Sequence, residues 1–63
     1  LYNKIKQIGI MKAIINLGKE FGTLNGVWTK NSEIRKIVNS KLKLGKAKLI
    51  IDNEETLMYE INE

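Results

Sequence analysis

No cysteine, no histidine and no proline occur in 63 residues. A domain this short buries only about 60% of its unfolded surface, and small domains often lean on a disulfide or a structural metal. Neither staple is open to this chain, because it has no thiol or imidazole to build one. It must hold itself with apolar side chains alone, and 43% of its residues are hydrophobic, enough for one core. The same absences remove thiolate nucleophiles, imidazole bases and most transition-metal sites. The length leaves no room for a second domain or for a deep cleft beside a core. Residues 1–63 are therefore expected to form one small domain, and the opening Leu1 suggests excision from a larger chain.

Lys, Asn and Ile make up 27 of the 63 residues, and Arg35 is the single arginine. AT-rich codons favour those three residue types, so a net charge of +4 says less about an anionic partner than the same charge built from Arg. No apolar run approaches the roughly 20 residues of a membrane span, and nothing resembles a signal peptide. A cytoplasmic module with no membrane contact and no cofactor is the expectation.

Residues 10–21 (IMKAIINLGKEF) have their apolar members within about 160° of a helical wheel, with Lys12, Asn16, Lys19 and Glu20 opposite. This spacing predicts an amphipathic helix stopped by Gly22. Leu1, Ile5 and Ile8 form another stripe nearly opposite the first, which implies a helical segment broken or kinked near Gly9, or a stripe that meets a partner chain. Residues 22–31 (GTLNGVWTKN) read as a loop, with Val27-Trp28-Thr29 a candidate short strand inside it. Ser32 is a suitable N-cap with Glu33 in the first turn. Ile34, Ile37, Val38 and Leu42 then stripe a second helix that Gly45 closes.

The last third reads as a β-hairpin. With Leu49 opposite Tyr59, Ala47 meets Ile61, Ile51 meets Leu57, Lys48 meets Glu60 and Ile50 meets Met58, so every pair is apolar or oppositely charged. Asp52–Thr56 form the turn. The expected fold is thus α+β: an N-terminal helical segment, a second helix and a C-terminal antiparallel hairpin. The expected core is Ile10, Ile14, Leu17, Phe21, Ile34, Ile37, Val38, Leu49, Ile51, Leu57, Tyr59 and Ile61.

Chemistry in the chain points to binding. Asp52, Glu54 and Glu55 lack the spacing of a calcium loop and read as solvated acids. Gly18-Lys19-Glu20-Phe21-Gly22 has neither the spacing nor the Lys-Ser/Thr ending of a phosphate loop. No catalytic constellation remains, and the chain is not expected to be an enzyme. The second helix instead places Ser32, Arg35, Lys36, Asn39, Ser40 and Lys43 on one solvent arc. Arg and Asn suit base edges, while Lys and Ser suit phosphate oxygens. Lys30 and Asn31 precede the helix, where its dipole favours a phosphate. Lys46 and Lys48 extend the positive region, and residues 30–48 hold seven cations against one acid. The blander alternative is a solvated helix face in a lysine-rich chain. Residues 49–63 carry five acids and no cation, so a hairpin tip on DNA is excluded, and this edge suits a basic partner or another copy of the chain. The lone Trp28 is expected to pack over the edge of the core.

The order of helices, basic helix and hairpin resembles a winged-helix domain. It departs from that family in its ten-residue loop, where a helix-turn-helix uses about three or four. Gly26-Val27-Trp28-Thr29-Lys30 with Glu33 is similar to the start of a Myb-type repeat, but the further tryptophans and helices of that family are missing, and no family is assigned. The expected function is DNA binding by the second helix within a transcriptional or replication regulator. Lys30, Asn31, Ser32, Arg35, Lys36, Asn39, Ser40, Lys43, Lys46 and Lys48 are the expected contacts, with Arg35 and Asn39 reading bases. The alternative is a protein-interaction or oligomerisation domain that touches no nucleic acid.

Overall fold

The computed structural model describes residues 10–62. The stripe of Leu1, Ile5 and Ile8 and the break at Gly9 lie outside them. The described chain runs β1 (Ile10–Asn16), β2 (Phe21–Leu24), β3 (Val27–Lys30), α1 (Asn31–Lys43), β4 (Ala47–Asp52) and β5 (Thr56–Asn62). One antiparallel sheet holds all five strands in the order β3-β2-β1-β5-β4. The expected helix-plus-hairpin domain, and with it the winged-helix likeness, is overturned: this is a sheet with a single helix among the described residues.

Residues 10–21 are where the expectation failed. They form β1, a turn and the start of β2 rather than a helix. Met11, Ala13 and Ile15 point to one side of β1, and Ile14 points to the other. An apolar residue on each side satisfies a helical wheel as well as a strand. The pairing decides it: β1 is the middle strand, flanked along its whole length by β5, and β-branched Ile10, Ile14 and Ile15 favour the extended backbone.

The supposed loop of residues 22–31 is mostly a hairpin. Asn25 (φ 54°) and Gly26 (φ 82°) form its two-residue turn, with Leu24 opposite Val27. Positive φ at both positions is what a type I′ turn needs, and Asn-Gly is its strongest sequence signature. Val27-Trp28-Thr29 is extended as expected, within β3.

The helix crosses one face of the sheet, from the β3 edge to the β4 edge. Its 13 residues span about 20 Å, which matches the width of five strands spaced about 4.8 Å apart. Lys30, not Ser32, is the N-cap, and it offers no side-chain cap. The far end closes as foreseen at Gly45 (φ 73°): its N–H donates to the Leu42 carbonyl at 3.0 Å and Lys46 N–H donates to that of Lys41 at 2.9 Å. That is a Schellman closure.

Between helix and sheet lies the core of Ala13, Ile15, Ile34, Val38 and Ile61, with Met11, Leu17, Leu24, Ile37, Ala47, Leu57 and Tyr59 packed around it. Of the expected core, Ile10, Leu49 and Ile51 are exposed, while Ile14 and Phe21 lie half-buried on the far face of the sheet. Ala13 and Ile15 take their place. The β4–β5 hairpin forms with the expected partners at Ala47–Ile61, Lys48–Glu60 and Leu49–Tyr59. A bulge at Ile50 then shifts the register, so Ile51 meets Met58 and Asp52 meets Leu57. The tip is an Asx turn, in which the Asn53 side-chain oxygen accepts from Glu55 N–H at 2.9 Å and Thr56 N–H at 2.8 Å.

Candidate nucleic-acid interface

Helical periodicity sorts α1 into two sides. Asn31, Ile34 and Val38 are buried against the sheet, whereas Ser32, Arg35, Lys36, Asn39, Ser40 and Lys43 are exposed. At 100° per residue those six fall within an arc of about 140°. Burial of Ile34 and Val38 fixes the helix's rotation about its axis, so the arc is held outward by packing. Glu33 is the one acid of the helix and lies in its first turn. The diameter of an α-helix, about 10–12 Å with its side chains, matches the width of the major groove, about 12 Å.

The expected contacts do not all gather there. Asn31 faces inward with 8% exposure. Its Nδ2 donates to the Asn16 carbonyl at 3.0 Å and to the Lys19 carbonyl at 2.8 Å, while its backbone N–H donates to the Glu20 carbonyl at 2.9 Å. Both amide donors are committed within the fold, which removes Asn31 from the contact set. Lys30 pairs with Phe21 and Lys48 with Glu60 on the face of the sheet turned away from α1. Neither can join Arg35 on one flat or convex ligand surface. Lys46 is exposed in the turn after the helix.

The far face of the sheet was not foreseen. Its cross-strand partners form a row through all five strands: Trp28, Thr23, Ile14, Met58 and Ile51. Phe21 stacks beside Trp28, ring centroids 6.1 Å apart and planes 14° from parallel. Trp28 is 67% exposed, in contrast to its expected place over the core edge. A half-open hollow of about 700 Å³ adjoins the pair, lined by Asn16, Leu17, Lys19, Glu20, Glu55 and Thr56 as well as the two rings. Reading Asn25-Gly26 as a hairpin turn would have put Phe21 and Trp28 side by side from sequence alone.

Among the described residues no three carboxylates converge to hold a metal ion, and no helix is long and apolar enough to cross a membrane. Comparison with known proteins finds no matching family model, curated protein or solved structure.

Proposed function

We propose that this chain is a duplex-DNA-binding module that lays the outer strip of α1 against its ligand. The observation that carries the reading is the exposure of Arg35, Lys36, Asn39, Ser40 and Lys43 on one side of a helix whose other side is locked into the core. Lys36 and Lys43 are placed for phosphates, with Lys46 beyond the helix end. Arg35 lies at one edge of the arc and Asn39 one turn further along, nearer its middle, and both side chains are capable of bidentate hydrogen bonds to base edges. One helix of this size gives modest specificity, so the module suits a regulator that supplies a second reading head. A cysteine-free chain of this kind fits the reducing cytoplasm.

Fluorescence anisotropy with a labelled random duplex at two salt concentrations tests this. Affinity is expected to fall steeply with salt, with a log–log slope of about −0.9 per neutralised phosphate. The double variant Arg35→Glu/Lys36→Glu should lose at least about tenfold in affinity while keeping its circular dichroism spectrum. A salt-independent signal ends the proposal.

A further inference from the structure

The aromatic pair on the far face is the feature that duplex binding leaves unexplained. Trp28 is 67% exposed, and its ring lies within 14° of parallel to that of Phe21. Rings of this size dominate cores and interfaces, yet this pair stands outside the core. Among the described residues no element lies over the far face, since α1 occupies the opposite one.

We infer that the far face binds single-stranded nucleic acid, with one base stacked on the Phe21–Trp28 pair and its hydrogen-bonding edge turned into the adjoining hollow. Stacking is the first support. Every base has a π-face, so an open aromatic pair on a rigid sheet is a platform for any unpaired base. The hollow is the second. At about 700 Å³ it falls within the range of small-ligand pockets, about 300–1,000 Å³.

The charges around the hollow fix which way a nucleotide lies. Lys30 stands opposite Phe21 and two residues along β3 from Trp28, where it can take the phosphate of a stacked nucleotide. Lys19 lines the hollow together with Glu20 and Glu55. Two carboxylates beside one ammonium repel a phosphate but accept N–H bonds from the amino groups of cytosine, adenine or guanine. The base edge therefore faces inward, and the phosphate stays outside on the Lys30 side. Farther along the face, Glu60 lies between Lys12 and Lys48 in register, so its charge is matched. With few cations left over, stacking supplies more of the affinity than charge does.

A duplex keeps its bases stacked inside and offers no free ring to Trp28. The site makes no use of the outer strip of α1 and stands or falls apart from duplex binding.

Titration of the 63-residue chain with a mixed-sequence DNA strand of about 12 nucleotides tests it, followed by Trp28 emission and by anisotropy of a labelled strand. Quenching of Trp28 is expected, with a log–log salt slope of only about −0.7 for each phosphate held. Trp28→Ser and Phe21→Leu should each weaken strand binding by at least about fivefold. Lys30→Ala should weaken it too and make the salt slope shallower by about 0.7. Circular dichroism confirms folding, and the variants at exposed Trp28 and Lys30 suffice should Phe21→Leu unfold. Oligo-dC should bind more tightly than oligo-dT, whose base has no amino group. The Arg35→Glu/Lys36→Glu protein should still be quenched by the single strand, and the same strand annealed to its complement should not quench Trp28. No quenching at about millimolar strand, an affinity indifferent to Trp28→Ser, a preference for oligo-dT, or a blue shift of Trp28 driven by protein concentration alone each overturns the inference.

Discussion

Asn31, the first residue of α1, is tied to Asn16, the last residue of β1, by a 3.0 Å hydrogen bond from its Nδ2 to the Asn16 carbonyl. The second Nδ2 proton goes to Lys19, so one side chain fastens the helix start to the β1–β2 turn. Replacing Asn31 with Ala leaves two carbonyls without this donor. The variant is expected to lose about 2–3 kcal/mol in urea unfolding. Its melting temperature should fall by roughly 10–20 °C for a domain of this size. An unchanged midpoint would show that water replaces the amide at no cost.

Two glycines should respond to the same methyl group to different degrees. At Gly22 an added Cβ overlaps the Ile14 carbonyl and comes within 2.9 Å of the Asn31 Oδ1. Backbone of the central strand cannot yield there, and Gly22→Ala is expected to cost about 3 kcal/mol or more. At Gly26 nothing lies within 4 Å, and only the φ of +82° opposes a side chain. Gly26→Ala should cost only about 1–2 kcal/mol. Parallel denaturation curves give the ranking, and a reversed order would contradict the packing of β1 on β2.

Position on opposite sides of the sheet separates the lysines. Lys43→Glu lies on the outer arc of α1 and is expected to weaken duplex binding about fivefold or more. Lys48→Glu sits opposite Glu60 on the far face. It should leave duplex affinity within about twofold once protein concentration is held below any self-association. Equal losses from both variants would mean that the charge acts only as a diffuse field.

Asn53 accepts two backbone protons at the β4–β5 tip. Asn53→Ala is expected to cost about 0.5–1.5 kcal/mol, because these exposed amides can turn to water. Asn53→Asp keeps both bonds and should cost less. A larger loss from Asp than from Ala would rule out the Asx turn as the stabilising element.

How far the sequence could be read depended on whether a segment's apolar pattern had one meaning. In β4 and β5, Ala47, Leu49, Tyr59 and Ile61 alternate with polar residues, and their pairing is as deduced. Ile50 and Ile51 are adjacent aliphatics with no polar residue to fix their side, and the bulge falls there. Helix α1 was legible because Ile34, Val38 and Gly45 fit only one helical frame. In β1 the open face bears Ile14, so a strand with apolar residues on both faces imitated a helical stripe. That misreading hid the aromatic pair, because Phe21 was assigned to a helix and Trp28 to a core edge. The arc from Ser32 to Lys43 was unaffected, since it rests on the spacing within α1 alone.

All of the helix lies on one side of a single-layered sheet, which makes the molecule two-sided. The charged strip of α1 and the Phe21–Trp28 pair therefore face away from each other, so a change to one leaves the surroundings of the other intact, and a ligand held by either approaches from its own direction.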